Sequence, residues 1–207
     1  MKKINLGIIL IIICLVGVSV HLIVLDKQKE KDKLLALEFT KKYFELYNKY
    51  SVLEPKDRIL DAQVDHEKYN SYVDNMSSEL SNYFSDLRKE YLIKVYKKII
   101  DDQINGKYMI YEYNKEIKEV EKCYFNGSYI TFILKVKSKI DKDIKENATF
   151  DIKSKRYVGR LEKQNINTYV RETLCIEKIA DGKYKIVYHE IKDDEVINEG
   201  ESGIWLI

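Results

Sequence analysis

The chain has 207 residues, with 36 Lys and Arg against 34 Asp and Glu and a formal net charge of +2, and it contains only eight Gly and one Pro. That length holds one domain with a sizeable hydrophobic core, and the scarcity of Gly and Pro excludes long low-complexity linkers. The first 33 residues carry six of the basic and three of the acidic residues, which leaves 30 against 31 in the remainder. A balanced surface of this kind excludes a nucleic-acid binder, which needs clustered cations to displace counterions from phosphate.

Leu6 to Leu25 is an uncharged run set between Lys2-Lys3 and the charged stretch Asp26 to Lys33. Twenty residues of helix reach about 30 Å, the thickness of a bilayer's hydrocarbon core, so the run predicts a transmembrane anchor. It continues through Val20 and Leu22 to Leu25, past the weak cleavage signal at Gly17 and Ser19, so the expectation is a retained anchor and not a removed signal peptide. Cys14 follows Ile11-Ile12-Ile13 and lacks the small residue that precedes a lipidated cysteine. Lys27, Lys29, Lys31 and Lys33 argue for a domain inside, but the short basic start is the usual form of an export signal, and the expectation is a single-pass protein of the cell membrane with its domain outside the cytoplasm. The expected organisation is a basic N-terminus over 1–5, an anchor over 6–25, a juxtamembrane linker over 26–33 and a domain over 34–207.

From Leu34 to Tyr50, Leu35, Phe39, Tyr43, Leu46, Tyr47 and Tyr50 recur at helical spacing and predict an amphipathic helix whose aromatic stripe faces a core. Pro55 in Leu53-Glu54-Pro55-Lys56-Asp57 marks a turn or the start of a short helix. Residues 61–76 are polar and read as a surface connection or a short helix. A long helical pattern then starts at Ser77 or Ser78, runs through Leu80, Phe84, Tyr91, Tyr96 and Ile100, and stops at Asn105-Gly106; its length allows two helices with a bend.

Beyond Gly106 the period changes to two. Met109, Tyr111, Tyr113 and Ile117 alternate until Val120 breaks the pattern, Asn126-Gly127 signals a hairpin turn, and Ile130, Phe132, Leu134 and Val136 form a half-buried strand. Residues 138–165 are ambiguous, with a short strand suggested at Ala148, Phe150 and Ile152. Thr168 to Ile179 is a strand, Asp181-Gly182 a second turn, and Tyr184, Ile186 and Tyr188 lie on the returning strand. The apolar end Gly203 to Ile207 is expected to dock as a last strand or against the core. Cys123 and Cys175 each fall in a strand, where they either pair or remain free as small hydrophobes.

Helices first and antiparallel strands afterwards define an α+β domain with the helices on one face of a curved sheet. This order, together with the hairpin Ile176 to Val187, resembles the nuclear-transport-factor-2-like (SnoaL-like) superfamily. Lys42-Tyr43-Phe44 followed by Leu53-Glu54-Pro55-Lys56-Asp57 is similar to the N-terminal accessory region of clostridial wall-associated amidases. The likeness spans residues 34 to 195, with Tyr184 where Trp is usual and without the catalytic domain, so hydrolase activity is not implied. It does imply a cone-shaped sheet able to enclose a pocket, and a setting in a bacterial cell envelope.

His189, beside Glu190, is the leading candidate for acid-base work in such a pocket, with Tyr113 and Tyr188 as further candidates. His21 and His66 have no partner at ligand spacing, Asp193-Asp194-Glu195 lacks the spacing of a calcium loop, and neither a phosphate loop nor a nucleophile elbow is present. A nucleophile pair of Cys123 or Cys175 with His189 has no local signature. The expectation is therefore a non-catalytic, membrane-anchored binding or assembly module without metal or cofactor, partnered by a protein or a wall component. The alternatives are a small isomerase or hydrolase using His189, and a scaffold of a transfer or secretion apparatus.

Overall fold

The computed structural model describes residues 6–53, 66–154 and 156–197. Three helices, α1 (Leu6–Ser51), α2 (His66–Ser81) and α3 (Asp86–Ile104), precede four strands, β1 (Tyr108–Asn126), β2 (Tyr129–Asp151), β3 (Arg156–Ala180) and β4 (Lys183–Ile197). The strands form one antiparallel sheet in the order β1-β2-β3-β4, each paired with its sequence neighbour. The α+β class expected from the order of elements holds.

The expected membrane anchor does not hold: among the described residues, no helix is long and apolar enough to cross a membrane. Gly17, Ser19 and His21 interrupt the apolar run. The run is also not a separate element. It is the first part of α1, which continues without a break through the expected linker 26–33 into the domain. There Asp32 already docks, accepting from Lys178 Nζ at 2.9 Å on both carboxylate oxygens, and the Tyr184 hydroxyl donates to its carbonyl at 3.4 Å.

The long helix expected from Ser77 to Ile104 is two. Tyr83 and Ser85 break it by exchanging backbone hydrogen bonds with Ile186 of β4, and Phe84 is buried between the two helices as a parallel bridge to that strand. Ser85 stands at the N-cap of α3 with extended backbone. The predicted break at Val120 is a pair of register shifts within one continuous β1. Asn126 pairs with Tyr129, so the hairpin loop is Gly127-Ser128, with Gly127 at φ 60°, the first central position of a type II′ turn.

The ambiguous stretch 138–165 is where β2 and β3 run on as a long antiparallel ribbon. Its one irregularity lies between Glu146 and Thr149, where Asn147 takes a left-handed φ of 50° and Gly159 faces the bulge across the pair. A Cβ on Gly159 would sit 2.6 Å from the Glu146 carbonyl oxygen. Asn198 to Ile207 and residues 54–65 lie outside the described residues, and with them Pro55 and the apolar C-terminal pentapeptide.

The core lies between the helices and the inner face of the sheet. Ile130, Phe132, Leu134 and Val136 of β2, Val170, Leu174 and Ile176 of β3 and Ile186 of β4 meet Tyr43, Phe44, Leu80, Phe84, Tyr96 and Ile100 from the helices. The edge of β1 is fastened to α1 by Asn48, whose side chain takes the place of a neighbouring strand: its Oδ1 accepts from Lys115 N at 2.9 Å and its Nδ2 donates to Lys115 O at 3.1 Å. Gln103 of α3 links β1 to the end of α1, accepting from Ile110 N and donating to Ser51 O. Because Gly159 meets backbone and not a flexible side chain, Gly159→Ala is expected to destabilise the fold by about 1–3 kcal/mol in urea denaturation, whereas Asn147→Gly, which relieves the left-handed residue, should be neutral or stabilising.

Candidate functional site

His189, the leading candidate from the sequence, is on β4 and faces the helices. Its carboxylate partner is not the neighbouring Glu190, which alternation places on the opposite face, but Glu172 of β3: His189 Nε2 lies 2.7 Å from Glu172 Oε2. The other oxygen of Glu172 accepts from Lys115 Nζ of β1 at 2.6 Å. On the far side of the imidazole, Nδ1 is 3.1 Å from the hydroxyl of Tyr43 on α1, and that hydroxyl accepts in turn from Tyr96 of α3 at 3.3 Å. Five side chains from five elements thus form one continuous chain of hydrogen bonds.

An ionised carboxylate only accepts, so the proton on His189 is placed at Nε2 and Nδ1 accepts from Tyr43. Burial alone would push Glu172 up, but Lys115 and His189 outweigh it and hold the carboxyl at about 2. Burial alone would pull Lys115 down, and the Glu172 carboxylate more than offsets it, leaving the ammonium above its ordinary value. The Nζ of Lys115 also sits 4.9 Å from the Tyr47 ring centroid, a cation–π contact. Burial raises the phenols of Tyr43, Tyr96 and Tyr113. Each of the two charges is therefore present and compensated.

The cluster is sealed. The Glu172 side chain is 0% exposed, Lys115 3% and His189 7%. Tyr43 packs edge-on against the imidazole and Phe44 stacks on it with centroids 6.0 Å apart, while Tyr47 closes the side toward Tyr113. An acid-base pair needs a substrate within hydrogen-bond reach, and the remaining ring nitrogen of His189 is already taken by a phenol.

An open cleft lies elsewhere among the described residues. A cavity of about 300 Å³ opens on the outer face near the start of β1, lined by Met109, Tyr111, Asp143, Lys145 and Leu161 together with Gly106 to Tyr108. Its polar groups are engaged: the Tyr111 hydroxyl donates to Asp143, Lys145 Nζ donates to the Tyr157 carbonyl at 2.6 Å, and Lys107 pairs with Asp102. None of them approaches His189.

Of the other sequence candidates, Tyr113 is inside the tyrosine layer and Tyr188 is on the outer face. His21 is exposed on α1, and the side chains of His66 and of Asp193-Asp194-Glu195 lie outside the description. Cys123 and Cys175 are free thiols on β1 and β3, with β2 between them. Among the described residues no three His, Cys, Asp or Glu side chains converge on one point. No family model, curated protein or solved structure matches the chain.

Breaking the buried pair from one side leaves an uncompensated charge. Lys115→Met or Glu172→Gln alone is expected to cost about 3–5 kcal/mol, and the double variant markedly less than the sum of the two, read from urea denaturation as a double-mutant cycle. The pH dependence has a defined sign. Because the folded carboxyl is held below its ordinary 4.5, the contribution of Glu172 is complete above about 4.5 and is lost as pH falls toward about 2. Over that window the stability of the wild type should fall more steeply than that of Glu172→Gln.

Proposed function

We propose that this chain is a non-catalytic binding or assembly module that docks a partner protein on the outer surfaces of its sheet. The observation that carries this reading is the filled inner face: the place where a domain of this layout would hold a substrate is occupied by Phe132, Leu134 and Leu174, all 0% exposed, and by the buried Lys115, Glu172, His189 and Tyr43 cluster. The resemblance to nuclear-transport-factor-2-like domains then concerns the order of elements, helices first and antiparallel strands after, and not a pocket.

One surface available for recognition is the ribbon of β2 and β3 beyond the start of β1, apart from the exposed apolar side chains of the first half of α1 and Leu87 of α3. Phe150 and Ile152 near its tip are 46% and 82% exposed, and Leu161 is 58% exposed. A two-stranded ribbon stands at the margin of stability by itself, so a surface that covers it gains on both counts.

A second reading, a small enzyme using His189 as acid or base, draws on its 2.7 Å contact with Glu172. The two are separated by placing a photo-crosslinking residue in turn at Ile152, at Leu161 and at Tyr43, in the native host. The binding-module reading expects a discrete protein adduct from the ribbon positions and none from Tyr43. Ribbon positions without adducts, combined with small molecules that perturb the His189 imidazole resonances, would overturn it in favour of the enzyme.

A further inference from the structure

Asp143 and Lys145 stand two apart on the outer face of β2 and line the cavity of about 300 Å³ at the start of β1. Side chains so spaced are about 7 Å apart at their bases, close enough for opposite charges to meet. The two charges nevertheless stay apart. The Tyr111 hydroxyl of β1 holds Asp143 at 2.8 Å, and the Tyr157 carbonyl of β3 holds Lys145 Nζ at 2.6 Å. Both holding groups are neutral, so neither charge is compensated. Among the described residues neither Asp143 nor Lys145 forms an ion pair, and Lys163, opposite Asp143 on β3, forms none with it.

The surroundings of the two charges are apolar or open. Met109 is opposite Asp143 across β1 and β2, and Leu161 is opposite Lys145 across β2 and β3, so an apolar side chain adjoins each charge. The φ of 70° at Gly106 favours glycine, and the same choice leaves room beside the ammonium, because a Cβ there would sit 3.4 Å from Lys145 Nζ. The second cation of the lining, Lys107, is paired with Asp102 at 3.3 Å. A ligand that is only an anion would meet Asp143, and one that is only a cation would meet Lys145. The complement of both is a zwitterion. Asp143 keeps acceptor capacity beyond its bond from Tyr111, and the Lys145 ammonium keeps two donors beyond its bond to Tyr157. A cavity at the lower end of the range of ligand pockets limits the occupant to about the size of an amino acid.

We propose that this cavity binds a free α-amino acid with a large apolar side chain, its ammonium on Asp143 and its carboxylate on Lys145. The side chain rests on Met109 and Leu161. The site is separate from the His189 cluster and goes beyond the docking of a partner protein.

The test is titration of the isotope-labelled full chain with leucine, with N-acetyl-leucine, which lacks the ammonium, and with leucine amide, which lacks the carboxylate, followed through the amide resonances. Leucine is expected to shift Met109, Asp143, Lys145 and Leu161 saturably, and each blocked form should bind about tenfold more weakly or worse. Asp143→Asn should weaken leucine by about tenfold and erase its advantage over N-acetyl-leucine while keeping its advantage over leucine amide. Lys145→Met should do the reverse. A merely structural role of either residue would weaken all three ligands equally, and that result would overturn the proposal. So would the absence of saturable shifts at these amides, or blocked forms that bind as well as leucine. Crosslinks from Ile152 to a partner protein stand or fall independently of these outcomes.

Discussion

The structure depends on one carboxylate. Glu172 sits in the middle of β3 where its neighbours in phase are Val170 and Leu174, and it is fully enclosed. An ionised carboxyl in that position is tolerable only because Lys115 arrives from one side of the sheet and His189 from the other, each within 2.7 Å of one oxygen. β1, β3 and β4 are thereby held at one register around a single point, and Tyr43 carries the same network into α1. The desolvation that makes this cluster costly also makes it selective, because a slip of any strand by one residue would leave a buried charge alone.

The same requirement explains why an arrangement that resembles catalytic machinery is a brace. A histidine oriented by a glutamate and bonded to a tyrosine contains the parts of an acid-base site, yet its bonds are all satisfied within the protein. The aromatic layer of Tyr43, Phe44 and Tyr47 supplies packing that a substrate channel would interrupt. Exposed apolar side chains lie instead at the periphery, among them Phe150, Ile152 and Leu161 where β2 and β3 extend past β1.

Much of this was legible in the residues. Period-two alternation marked Ile130, Phe132, Leu134 and Val136 as the inner positions of β2, and the helical stripe from Leu35 to Tyr50 identified the face of α1 that meets them. The carboxylate partner of His189 was also readable in principle, since Glu172 is a charged residue in the apolar phase of Val170, Leu174 and Ile176, and Lys115 interrupts Tyr113 and Ile117 in the same way. Sequence adjacency pointed instead to Glu190, which a pleated strand turns to the opposite side. The ribbon from 138 to 165 was obscured because Ser138 and Lys142 occupy buried inner positions at its start and its far end is largely solvated, which together erase the apolar alternation on which strand recognition relies. The division at Phe84 is a tertiary effect: β4 captures the backbone of Tyr83 and Ser85, a partner about a hundred residues away that no local pattern announces. The apolar run from Leu6 was read by composition as a separate anchor, whereas its helix continues into the domain and is fastened there at Asp32.

The most direct measurement of the central claim is hydrogen exchange at the His189 Nε2–H, followed by imidazole-detected nuclear magnetic resonance in the intact chain. If the Glu172 cluster is an internal brace, that proton is protected to the level of the slowest core amides and its resonance does not respond to added small molecules. Rapid exchange with solvent while the core amides stay protected would show a route from bulk water to the imidazole, and would contradict the account.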